Sequence, residues 1–281
     1  MKLIKPSYEI IPQAPEIKGI YKQIELAGRV CYKSEDKITE GSAKDFTDRM
    51  IKSGHLAMCE HGTIYLYIPV NSPLYDKLYM EKMPVVTFYS SNKYSKLKTK
   101  VSHKDTWRYY YITTNYRVII ENGRLNDLQY LCKPTEYHEK RVTVKFNHDI
   151  GCGREILRHR GASFANESTR YCNYIKDKFG NEITCLIPHF INEENALEFE
   201  EDLTIMENIY FKWIKKGYKA QDARGFLPLF TKSELVVTAF VSDWKHFFDL
   251  RTDIAKTGKP HPDLLQVTNP LYNEFINLKL I

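Results

Sequence analysis

RVTVKFNHDIGCGREILRHRGASFANESTRY, residues 141–171, carries the reading of this chain. Its first six residues are β-branched and aromatic in the manner of a strand, and residues 151–160 suit a short helix. On such a helix Glu155 and Arg158 share a face, whereas Arg158 and Arg160 point in nearly opposite directions. Gly161 then lets the chain leave the helix, and Ser163, Asn166, Ser168 and Arg170 follow on an irregular segment. Hydroxyls, freed backbone N–H groups and a planar guanidinium suit a phosphate group. The plainer reading of each arginine is a surface ion pair, since Glu155 and Glu167 are close in sequence. Apolar Ile156, Leu157, Phe164 and Tyr171 flank the run, however, and a partly buried polar cluster needs satisfying partners, which a ligand can supply.

Working outward, residues 17–32 and 42–53 read as helices, with Ile20, Ile24, Ala27 and Val30 recurring at three- and four-residue steps. TIYLYIPV (63–70), VVTFY (85–89) and WRYYYITT (107–114) have the composition of strands. The lysine-rich stretch 90–106 reads as a solvated loop, and 124–132 as a short helix stopped by Pro134. Downstream come a helix at 193–216, a shorter one at 219–226 ended by Pro228, and a strand at 234–241. A helix N-capped by Asp243 and a last helix over 262–279 complete the chain. This order predicts an α+β fold, an antiparallel sheet flanked by helices, in a single domain over residues 1–281.

The composition narrows the function classes. With 281 residues and 43% hydrophobic content the chain is long enough for a substantial core. No apolar run approaches the roughly 18 residues of a spanning helix, and Pro6 sits where a signal peptide needs its apolar stretch, so a cytoplasmic protein is expected. The six cysteines lack a C-x-x-C pair and the nine histidines lack H-E-x-x-H spacing, so no disulfide framework and no metal is expected. A net charge of +6 is compatible with nucleic acid, an acidic membrane or a phosphorylated small substrate. The lone G-x-G of GCGRE (151–155) is weak evidence for a dinucleotide loop.

The segment 158–171 resembles the RHRxxSxxxxSxRY motif of flavin-dependent thymidylate synthases, with Arg158, His159, Arg160, Ser163, Ser168, Arg170 and Tyr171 filling every fixed position. GRVCYKS (28–34), GHLAMCEH (54–61), KAQDARGFLPL (219–229) and DWKHFFDLR (243–251) fall in the order of that family, while 90–140 matches least and reads as an insertion. The resemblance implies an enzyme that converts dUMP to dTMP, with FAD as cofactor and NADPH and 5,10-methylenetetrahydrofolate as co-substrates. It also implies a homotetramer with shared active sites, and neither a nucleic-acid nor a membrane partner.

Carried over by position, the resemblance places Glu155, Arg158, Asn166, Glu167, Ser168, Arg170, Arg224 and Arg251 around dUMP, Arg251 being catalytic through the uracil. It places His55, Arg158, His159, Arg160, Asn166 and His246 at FAD. Two departures stand out: Asn166-Glu167 falls one position later than in better-known members, and Phe240 and Ser242 replace an Asn and an Arg that hold the flavin nucleotide in many relatives. Cys152 and Cys172 flank the motif, but neither has the setting that activates a thiolate nucleophile. The competing reading is a basic nucleic-acid-binding module using Arg158, Arg160, Arg170 and the lysines of 93–104 on phosphates.

Overall fold

The computed structural model describes residues 1–71, 77–101 and 107–281. In chain order the elements are β1 (Lys2–Ile4), β2 (Ser7–Ile11), α1 (Glu16–Tyr32), α2 (Ser42–Lys52), β3 (Thr63–Asn71), α3 (Lys77–Ser91), β4 (Lys96–Val101), β5 (Trp107–Asn115) and α4 (Tyr116–Glu121). They continue with β6 (Arg141–Asp149), α5 (Ile150–Ile156), β7 (Ser163–Asn166), β8 (Thr184–Leu186), α6 (Ala196–Lys215), α7 (Ala220–Ala223), β9 (Lys232–Phe240), α8 (Val241–Arg251) and α9 (Pro262–Asn277).

Among the described residues β2, β6, β9 and β7 form an antiparallel sheet in that order, and β3, β5 and β4 form a second one. The α+β architecture expected from the sequence is therefore present. In the first sheet alternate residues face opposite sides, as a strand requires. Leu235, Val237 and Ala239 of β9 join Ile156, Trp244, Phe247, Phe248 and the inner face of α9 in one core. Val236 faces the other way and packs with Ala165 of β7 against Ala27 and Val30 of α1. The same α1 helix sends Ile20 and Ile24 into the core of the second sheet, beside Ile64, Leu66 and Ile68. α1 thus ties the two sheets together. A Cβ on Gly28 would lie 2.4 Å from the Phe46 ring, so this glycine is what lets α2 approach.

Several sequence expectations need correction. Residues 85–89 lie inside α3, not in a strand. Val85, Val86 and Tyr89 are buried at steps of one and four, a helical face, and their packing overrides the β-propensity of the run. Part of the expected loop 90–106 is β4, which pairs Lys96 with Thr113 on β5. Its lysines suit an exposed edge strand; residues 102–106 lie outside the described residues. The short helix expected at 124–132 is present, as a 3-10 helix over residues 125–130. Asp243 is not the N-cap of α8, a place taken by Phe240; it stands in the first turn, where a carboxylate still meets the positive end of the helix dipole. The short strands β1, β2 and β8 had no counterpart in the sequence reading.

Candidate active site

α5 ends at Ile156, so Arg158, His159 and Arg160 are not helical as expected but occupy the turn that follows. The turn closes with the Ala162 N–H donating to the His159 carbonyl at 3.1 Å. Ser163–Asn166 is then strand β7, paired with β9, where irregular chain was expected. Gly161 has a different use from the one expected. A Cβ there would lie 2.7 Å from Oδ1 of Asp243, so the missing side chain lets the motif lie against α8.

Between this turn and α8 opens a cleft of about 540 Å³, walled by Phe164, Val237, Ala239, Trp244 and Phe247 and rimmed by Arg158, His159, Arg160, His246 and Arg251. Arg251 is fixed at its edge. Its Nη1 donates to Glu155 Oε2 at 2.7 Å, its Nη2 to the Glu155 carbonyl at 3.5 Å, and its Nε to His159 Nε2 at 3.2 Å. The last bond requires a lone pair on His159 Nε2, hence a neutral imidazole with its proton on Nδ1. Burial, then the Arg251 and His246 charges, hold His159 down to about 4, which keeps it neutral at pH 7. Its ring meets Phe247 edge to face at 4.8 Å. Arg158 and Arg160 are exposed, with no carboxylate in ion-pair reach among the described residues, which disfavours the surface-pair reading.

The remaining predicted residues lie at the other end of β7. Asn166 Oδ1 accepts from Ser233 Oγ at 3.1 Å. Glu167 is buried, accepts the Glu234 N–H at 3.1 Å and meets Lys232 at 3.3 Å. Burial raises its pKa against the pull of Lys232 and Lys33. The Ser168 N–H donates to the Cys31 carbonyl at 3.1 Å, joining the motif to the end of α1. Arg170 donates to Gln221 of α7 at 3.2 Å, three residues before the exposed Arg224. His55 is exposed ahead of a 3-10 turn and does not line the cleft. One chain therefore unites Glu155, Arg158, His159, Arg160, His246 and Arg251, and sets Asn166 to Arg170 with Arg224 apart from them.

Sequence reasoning missed the aromatic walls, Trp244 and Phe247, which look like any buried helix positions. It also missed Arg141, whose Nη2 donates to Ser163 Oγ at 3.3 Å from the start of β6. A lone arginine opening a strand gives no signal by itself. Among the described residues no group of His, Cys, Asp and Glu is arranged to hold a metal ion, and no helix is long and apolar enough to cross a membrane.

Residues 134–259 match the family model described as thymidylate synthase complementing protein. Flavin-dependent thymidylate synthases of Pyrococcus furiosus and Pyrococcus abyssi are each 34% identical over 102 residues, 36% of this chain. These matches span 41% of the length of either relative. A probable flavin-dependent thymidylate synthase of Paramecium bursaria Chlorella virus 1 is 26% identical over 145 residues, 47% of this chain and 65% of its own length. A UMP/dUMP methylase PolB from Streptomyces cacaoi, solved with 5-Br dUMP, aligns over 99% of this chain and 93% of its own at 16% identity and a TM-score of 0.46. The resemblance carried by residues 158–171 is thus borne out by sequence relatives.

Proposed function

We propose, on the premise that this chain is a relative of the flavin-dependent thymidylate synthases, that it methylates dUMP to dTMP with 5,10-methylenetetrahydrofolate as carbon donor and NADPH as reductant. The observation that carries the proposal is the fixed Arg251 guanidinium beside a neutral His159, at the mouth of an aromatic cleft rimmed by the exposed Arg158 and Arg160. The donor set fits FAD: flat apolar walls for a tricyclic ring, with cations for its polar edge and phosphates. When bound, FAD supplies the reducing equivalent that completes the methyl group.

The chain's own part is orientation and electrostatics. Glu155 holds Arg251 in one pose, so its charge can face the uracil without reorganising as negative charge develops there. Arg158, His159, Arg160 and His246 contact the flavin, with Asn166 and His55 assigned to it from neighbouring segments. Asn166, Glu167, Ser168, Arg170 and Arg224 serve dUMP together with Glu155, Arg158 and Arg251. No step needs an enzyme thiolate. Burial raises Cys31, Cys59 and Cys132 to about 11, Cys172 and Cys185 to about 12, and Cys152 further still.

The division of these residues between the two ends of β7 supports a site shared between subunits of a homotetramer. Leu197, Ile205, Met206 and Ile209, all exposed on α6, offer apolar surface for such assembly. On this reading residues 1–281 act as one cytoplasmic domain, with 90–140 an insertion. The test is the purified protein itself. Yellow protein that forms dTMP from dUMP only with methylenetetrahydrofolate and NADPH supports the proposal. Colourless protein that forms none in the presence of added FAD overturns it.

A further inference from the structure

Lys33 ends α1 in a left-handed conformation, with φ 47° and ψ 56°. Its N–H donates to the Val30 carbonyl at 3.2 Å, and the Ser34 N–H to the Arg29 carbonyl at 3.0 Å, the paired bonds of a helix end that usually carries glycine. A side chain in this conformation strains the backbone, and such strain persists only where the surroundings hold it. The Lys33 ammonium does the holding. It meets Glu234 Oε1 at 2.8 Å and Glu35 Oε1 at 3.1 Å. Lys232 bonds the same Glu234 oxygen and meets Glu167 Oε2 at 3.3 Å. The backbones join as well, the Glu167 N–H donating to the Glu234 carbonyl at 2.7 Å.

Lys33, Glu234, Lys232 and Glu167 thus form one chain of alternating charge across α1, β9 and the end of β7, their side chains 17%, 13%, 15% and 2% exposed. Burial opposes the charge on Lys33, but Glu167 and Glu234 outweigh it and hold its pKa above the ordinary lysine value. Removing one member leaves the others desolvated and uncompensated. What the chain holds is the start of the turn that carries Ser168 and Arg170. The Ser168 N–H donates to the Cys31 carbonyl, two residues before Lys33, and its own carbonyl accepts the Tyr171 and Cys172 N–H groups, each at 3.1 Å. The Lys178 ammonium donates to the Lys33 carbonyl at 3.1 Å. Between these ties lies a cavity of about 330 Å³ lined by Lys33, Glu167, Tyr174, Lys178 and Lys232. The Tyr174 hydroxyl is sealed from solvent without a partner. On this side polar ties, not close apolar packing, fix the turn.

We propose that Lys33 is a positioning residue for the nucleotide phosphate: through Glu234, Lys232 and Glu167 it holds the turn in the pose from which Ser168 and Arg170 meet that phosphate. Glu167 then serves dUMP by fixing Ser168, the next residue, since its carboxylate is already engaged by Lys232 and the Glu234 N–H. The link to dUMP rests on the function proposed above, whereas the ordering of the turn by Lys33 does not.

The test compares the full chain as parent, Lys33→Arg, Lys33→Met and Lys33→Gly, by amide hydrogen exchange read with mass spectrometry and by steady-state kinetics. Glycine relieves the backbone strain while deleting the ammonium, so it separates the charge from the geometry of the helix end. Met and Gly should each speed exchange over residues 167–172 by at least about tenfold relative to β5, which reports global stability. Both should raise KM for dUMP by about tenfold with kcat within about threefold, and Arg should restore most of each property. Exchange at 167–172 that matches the parent, or that rises equally in β5, overturns the inference even where dTMP forms. Faster exchange with an unchanged KM for dUMP overturns the link to the phosphate. A parent that binds no dUMP and forms no dTMP, yet loses order at 167–172 in Met and Gly, overturns the proposed function and leaves the ordering role of Lys33 standing.

Discussion

Nη1 of Arg251 donates to Oε2 of Glu155 at 2.7 Å, joining residues 96 positions apart in the chain. The bond clamps the last turn of α8 to α5, and the Thr268 hydroxyl holds the Arg251 carbonyl from α9. The guanidinium is thereby positioned before any substrate arrives.

Arg251→Ala should fold and retain flavin but lose dTMP formation by roughly 100- to 1,000-fold in kcat, the usual cost of removing one preorganised donor. Steady-state kinetics with flavin absorbance on the same sample decides it. Turnover within threefold of the parent would rule out a role at the reacting ring.

Ser168→Ala and Arg170→Ala should chiefly weaken dUMP, each by about 1.5–3 kcal/mol if the lost partner is a charged phosphate contact. Deoxyuridine, which lacks the phosphate, should bind parent and variants alike. An equal loss for nucleoside and nucleotide would move both residues away from the phosphate.

His159 predicts a pH dependence with a definite sign. Its folded pKa, about 4, lies below the ordinary histidine value, so the unfolded chain binds more protons between the two. This contribution to stability is complete above about pH 6.5 and is lost as pH falls towards 4. His61, His138 and His148 are shifted the same way, each chiefly by burial. The midpoint of thermal unfolding should therefore fall from pH 7 to pH 5, and His159→Gln should show a shallower fall. An unchanged slope in that variant contradicts the neutral His159 inferred from the Arg251 bond.

Replacing Cys152 and Cys172 together by Ala should leave substantial dTMP synthesis, because burial disfavours both thiolates. Both positions are buried, so a stability loss of about 1–3 kcal/mol is expected and folding is checked by circular dichroism. A folded, flavin-loaded variant without activity, together with a covalent dUMP adduct on either cysteine in the parent, would refute a mechanism without a thiolate.

The sequence by itself determined what depends on local chemistry. The helical spacing of Ile20, Ile24, Ala27 and Val30 is α1, the β-branched runs at 63–70 and 107–114 lie in β3 and β5, all but the last residue of 234–241 lies in β9, and Arg158, His159 and Arg160 of the motif line the cleft beside α8. Tertiary structure decided wherever local preference and packing disagree. Val85 and Val86 are helical because a core needed that face, and the lysines of 96–101 form a strand because β5 had an open edge. It also decided which charges are compensated. Spacing showed Glu155 and Glu167 equally near the arginines, but only the fold gives Glu155 to Arg251 and Glu167 to Lys232, and leaves Arg158, Arg160 and Arg141 without a carboxylate among the described residues. Ion pairing depends on distance and desolvation in three dimensions, and neither quantity is written along the chain.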